Sequence, residues 1–142
     1  MTALVDDQLL GAHLRGRPVL VDRNEDLFTS GLWYVRLCLA VTRRAGGALS
    51  GPFAALRPER RARAVTSVLT LPDDIGLLSL RQLAPLIGDL AGRHPPMNIL
   101  TREALAAAVA LQATLLMAQD NENRTLAAAA TREGLEVAFL SP

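Results

Sequence analysis

The sequence predicts an α/β fold in which parallel strands are covered by helices, and two stretches carry that reading. The last third alternates an alanine-rich helical stretch (101–112), an apolar strand (113–117), a second helical stretch (121–132) closed by Gly134, and a final strand (135–140). A strand regained after one helix and short connections lies parallel to its predecessor, because right-handed crossovers are strongly favoured. The opening residues follow the same rule. Thr2-Ala3-Leu4-Val5 is an apolar run that stops at Asp6-Asp7, after which Leu9, Leu10 and Leu14 recur at helical spacing,.

Between these ends, residues 18–21 (Pro-Val-Leu-Val) form a second apolar piece, read as a strand or an extended loop. Residues 30–44 are helical in pattern, with Ser30 as the cap and apolar positions on most sides: Leu32, Val35 and Leu39 on one face, Trp33, Leu37 and Val41 on another,. Such a helix belongs in a core. Gly46-Gly47 breaks it, and Gly51-Pro52 and Pro58-Glu59 carry start signals for one or two helices reaching Leu71, with Ala62, Val65 and Leu69 as the buried stripe,. Pro72-Asp73-Asp74 reads as a turn, 75–80 as a short strand, and 82–94 as a helix that tolerates Pro85 in its first turn,. Thr101 is taken as the cap of the next helix.

The chain has 142 residues, half of them hydrophobic, enough for one domain over 1–142. A chain of that size buries roughly 68–70% of its unfolded surface. No apolar run reaches the roughly 20 residues of a membrane span, and with a single cysteine, Cys38, the expectation is a cytoplasmic protein with no membrane partner,. Cys38 sits in an apolar helix and is expected to be a buried thiol; His13 and His94, at helix ends, are expected on the surface, and Trp33 in the core.

The net charge is +1, and every one of the fifteen cations is arginine. Arg43 and Arg44 are adjacent, and Arg57, Arg60, Arg61 and Arg63 fall within seven positions. These six arginines are the candidate surface for RNA phosphates, with a solvated helix face as the plainer reading.

Ligands of an open parallel sheet bind beyond the carboxyl ends of its strands. Asp6-Asp7 follows the first strand, and Gln119-Asp120-Asn121-Glu122-Asn123 follows the strand at 113–117. If the two strands are neighbours, Asp6, Asp120 and Glu122 gather oxygen ligands at one edge, the chemistry of Mg²⁺ or Mn²⁺. Asp and Asn at such turns are also ordinary helix caps.

Leu4-Val5-Asp6, the segment Leu10-Gly11-Ala12-His13-Leu14-Arg15-Gly16, the stretch from Glu103 to Asp120 and Gly134-Leu135-Glu136-Val137 together resemble PIN domains, the ribonuclease fold of many bacterial toxin–antitoxin pairs. The resemblance covers the first 16 and last 45 residues well and the middle by element order. It implies a three-layer sandwich with a mostly parallel central sheet, an acidic Mg²⁺ or Mn²⁺ pocket that cleaves RNA through an activated water, a homodimer and an antitoxin-like protein partner. Of the family's four acids, the first falls on Asp6. Arg36 stands where the second, a glutamate, belongs, and there it would neutralise Asp6. Thr101 stands at the third, with Glu103 two positions on, and Gln119 at the fourth, with Asp120 one place late. The resemblance thus implies a PIN-like protein with an eroded metal site that binds RNA or a protein in a regulatory or toxin–antitoxin-derived role. The alternative is an active metal-dependent endoribonuclease using Asp6, Asp120 and Glu103 or Glu122. Arg36, Thr101, Gln119, Asn121 and Asn123 line the expected pocket.

Overall fold

Five strands, β1 (Thr2–Val5), β2 (Asp26–Thr29), β3 (Ile75–Leu77), β4 (Thr114–Ala118) and β5 (Val137–Leu140), pair in parallel in the order β3-β2-β1-β4-β5. The structure is a computed structural model and describes residues 1–17, 19, 25–42 and 51–142. Among the described residues the helices are α1 (Asp7–Leu14), α2 (Gly31–Thr42), α3 (Gly51–Ala54), α4 (Pro58–Leu69), α5 (Leu80–Ala91), α6 (Ile99–Leu111) and α7 (Arg124–Arg132). None of them is long and apolar enough to cross a membrane.

Successive strand residues face opposite ways, and β1 and β4 use this to feed two cores. Leu4, Leu115 and Met117 pack with α5, α6 and α7, whereas Ala3, Val5, Leu116 and Ala118 pack with α1, α2, α3 and α4. The result is helix, sheet, helix. Ala104, Ala106, Ala107 and Ala108 are all buried in α6, so small side chains let this helix lie close to its neighbours on several sides. The register Ala3↔Thr114, Leu4↔Leu115, Val5↔Leu116 sets β4 beside β1, as the alternation of elements requires.

Five expectations shift. The apolar piece at 18–21 lies mostly outside the described residues, and the strand next to β1 is Asp26–Thr29, whose four residues are too short and too polar at the ends to show a period. On α4 the buried pair is Ala64 and Val68, and Leu69 is about half exposed, because neighbouring helical stripes of this sequence are nearly equally apolar. On α2 only Trp33, Leu37 and Val41 are buried; Val35 and Leu39 face outward. Helix α6 is capped by Asn98, whose Oδ1 accepts from Thr101 N at 2.8 Å, so Thr101 lies inside the first turn. Strand β3 also stops early, since the Ser79–Gln82 capping box commits the chain to α5,.

Gly76 in β3 is required by contact. A Cβ there would collide with the ring of Phe28 on the neighbouring strand. Gly76→Ala is expected to cost about 1–3 kcal/mol in urea unfolding, and an unchanged midpoint would show that the ring yields freely.

Candidate functional site

β1, β2 and β3 extend the sheet one way and β4 and β5 the other, so the carboxyl ends of β1 and β4 flank the point where the strand order reverses,. Asp6 closes β1 there and is fully buried. It caps α1, its Oδ1 accepting from Leu9 N at 2.9 Å. Its Oδ2 accepts from Ala118 N at 2.8 Å and from the Asn121 amide at 3.3 Å. Burial pushes the Asp6 pKa up from the ordinary 3.8; the three donors pull it back in part, and the Asp7 charge adds to the rise,.

Asp7 opens α1 and takes the fork of Arg36. The guanidinium Nε donates to Asp7 Oδ2 at 2.7 Å and Nη2 to Oδ1 at 2.5 Å, a bidentate pair,. Asp7 holds the Arg36 pKa above its ordinary value, against the pull of burial, with the Asp6 charge contributing least. Arg36 thus neutralises Asp7 directly, not Asp6 as its position in the resemblance suggested. The Asn121 amide lies 3.3 Å from Asp7 Oδ1 as well and ties both carboxylates together.

Glu103, buried in α6, is spent on α2. Its Oε1 accepts from Leu32 N at 2.6 Å, beside the Ser30 Oγ that accepts from Trp33 N at 3.2 Å, so two acceptors meet the positive end of that helix,. A Cβ at Gly31 would come within 3.2 Å of Glu103 Oε2, so only glycine lets the carboxylate approach the helix this closely without a shift. Thr101 is buried and its hydroxyl accepts from Asn123 Nδ2 at 3.1 Å; Asn123 in turn caps α7 through Leu126 N at 3.0 Å.

Gln119 and Asp120 are exposed in a 3-10 turn (Gln119–Asn121), and Glu122, also exposed, pairs with Arg124 at 3.2 Å. Asp7 and Asp120 share the rim of a cleft of about 440 Å³ walled by Gly11, Leu37 and Phe53. A second groove, of about 370 Å³, runs between Leu32, Val35, Leu77 and Leu80 with Glu103 at its side. Among the described residues, no three His, Cys, Asp or Glu side chains lie close enough together to hold a metal ion.

The arrangement therefore joins Asp6, Asp7, Arg36 and Asn121 in one network and Thr101 with Asn123 in another, with Glu103 on α2 and Asp120 and Glu122 at the surface. Asp7 was the residue missed. Its signal was the doublet itself, since a second acid in a helix's first turn faces outward while the cap faces in. Of the arginine cluster, Arg57, Arg60 and Arg63 are exposed, whereas Arg61 donates to the carbonyls of Ala54 and Leu56 at 2.8 and 3.1 Å and so closes the end of α3. Arg43 and Arg44 lie outside the described residues. Trp33 is in the core and Cys38 is half-buried. The His94 side chain is only 3% exposed, with Nε2 2.6 Å from Glu133 Oε1, so it is not the surface residue its helix-end position suggested; His13 is half-buried.

No family model matches the sequence, and no curated protein matches it. Among solved structures, a chain of VapBC-1 from nontypeable Haemophilus influenzae superposes with a TM-score of 0.51 over 98% of both chains, at 17% identity. The fold is PIN-like. In this PIN-like fold the acidic edge and the strand reversal coincide, and the carboxylates found there are occupied by donors of the chain itself.

Because burial raises the Asp6 pKa, the folded chain holds that proton where the unfolded chain has released it, so Asp6 costs stability progressively as pH rises above the ordinary 3.8,. Asp6→Asn removes the titration but turns an NH₂ toward a donor, at a cost of about 1–3 kcal/mol. Its deficit in urea unfolding is expected to be largest near about pH 4 and smaller near about pH 7. A deficit that grows with pH would contradict the burial account.

Proposed function

We propose that this chain is a PIN-like protein of toxin–antitoxin-derived kind that acts by binding a partner, its acidic edge having given up hydrolysis. The observation that carries this reading is the Arg36 fork on Asp7 at the point where the sheet reverses. Mg²⁺ demands near-octahedral oxygen ligands at about 2.0–2.1 Å. Both Asp6 oxygens already accept from N–H groups, two of them fixed backbone donors, and a guanidinium beside Asp7 repels a cation. The donor set therefore does not fit Mg²⁺ or Mn²⁺.

A protein partner has a surface to meet. Val35, Leu77 and Leu80 are exposed around the second groove, and Leu39 and Leu69 are about half exposed. An antitoxin-like chain or a second copy of this one would bury them, and the likeness to a chain from a toxin–antitoxin complex supports that kind of partner. RNA is favoured by a separate observation: Arg57, Arg60 and Arg63 stand exposed at the start of α4.

The purified protein is expected to leave a mixed-sequence RNA intact in Mn²⁺. Metal-dependent cleavage that Asp6→Asn abolishes would replace this reading with the ribonuclease one, using Asp6, Asp120 and Glu103 or Glu122. Binding to the same RNA is expected to weaken with salt, each neutralised phosphate adding about 0.7 to the logarithmic slope for single strands. Replacing Arg57, Arg60 and Arg63 with Ala should remove roughly 2 from that slope, measured by fluorescence anisotropy. Arg61→Ala should instead lower the melting temperature, since its Nη2 closes the end of α3. An unchanged slope in the triple variant would leave the cluster as a solvated face.

A further inference from the structure

The acidic edge holds two carboxylates, one guanidinium and one amide, and the amide occupies the middle. Asn121 Nδ2 lies 3.3 Å from Asp6 Oδ2 and 3.3 Å from Asp7 Oδ1, with Arg36 closing Asp7 on its own side and Leu9 N and Ala118 N closing Asp6 on the other. We propose that the Asn121 side chain is the built-in substitute for a divalent cation, its NH₂ group bridging the Asp6 and Asp7 carboxylates in the place an ion would take. The inference rests on the reading of this edge given above and deepens it by naming the residue that keeps a metal out.

The chemistry is specific to the amide. An NH₂ group carries two hydrogens and can donate one to each carboxylate, which is the neutral equivalent of a cation shared between two acids. It does so from a short 3-10 turn that directly follows β4, so the strand places it over the end of β1. Arg36 could not bridge the pair in this way, because its fork is already spent on Asp7. An aspartate is the closest isostere of asparagine, and exchanging NH₂ for O⁻ at this position would turn a donor between two acids into a third acid facing the same space. Three converging carboxylates repel one another and are relieved by a cation, so one substitution separates an internally satisfied edge from a metal-binding one.

The test uses the intact chain and Mn²⁺ alone, read by the electron paramagnetic resonance signal of the free ion and by melting temperature. The natural chain is expected to leave the free Mn²⁺ signal undiminished. Asn121→Asp is expected to melt lower in EDTA, to quench the signal at one ion per chain, and to regain roughly 5 °C at about ten times the dissociation constant. Asn121→Ala, which vacates the same place without adding a repelling charge, keeps the inference testable if the Asp variant does not fold without metal. It is expected to quench the signal more weakly but in the same direction. The proposal is overturned if the natural chain binds Mn²⁺ with Asn121 in place, or if the folded variants both leave the signal unchanged. Unresponsive variants would leave the binding function standing, because that function depends on the absence of cleavage by the natural chain. Cleavage by the natural chain in Mn²⁺ would end both.

Discussion

The buried carboxylate of Asp6 is the constraint on which the rest of this edge depends. One oxygen satisfies the first turn of α1, and the other reaches 112 positions along the chain to the last amide of β4 and then to Asn121. Burying an anion is costly unless its lone pairs are met, and here three donors from three segments meet them. Remove the carboxylate and the backbone N–H groups of Leu9 and Ala118 lose their partner. Each of the two Asp6 oxygens is held on a backbone donor, Oδ1 by Leu9 N and Oδ2 by Ala118 N.

A second carboxylate works in parallel. Glu103 is buried and holds the first turn of α2 with Ser30, and Gly31 gives it the room to do so. Six residues beyond Ser30, the anchored helix delivers Arg36 to Asp7. The acids are thus divided: Asp6 at the edge and Glu103 at the start of α2 orient helices, Asp7 takes the guanidinium, and Asp120 remains at the rim of the cleft. That division leaves the outer apolar groove and Arg57, Arg60 and Arg63 of the α4 cluster exposed.

Sequence reasoning reached much of the fold because the informative segments are long and well capped. The 101–140 region announces helix, strand, helix and strand through alanine-rich periodicity and Gly134, and the structure has each of them. Asp6 was legible because an acid after the first strand of a parallel sheet has only one edge to occupy. Four-residue β2 was not, since Asp26 and Thr29 mask any alternation and a more apolar run precedes it. The position of Arg36 followed from counting along α2, but its partner did not, because choosing between Asp6 and Asp7 depends on how the first turn of α1 rolls against α2. Asn121 could be placed near the edge from sequence; its bridging of two carboxylates rests on a 3-10 turn that no local pattern signals.

Under the proposal above, one guanidinium and one amide of this PIN-like edge stand where a divalent ion would otherwise sit. It is tested most directly by a crystal structure of the natural chain grown with millimolar Mn²⁺ and measured at the manganese absorption edge. No anomalous peak is expected within coordination distance of Asp6 or Asp7, with the Asn121 amide between them and Arg36 on Asp7. A peak bonded to Asp6, with Asn121 or Arg36 swung away, would contradict it.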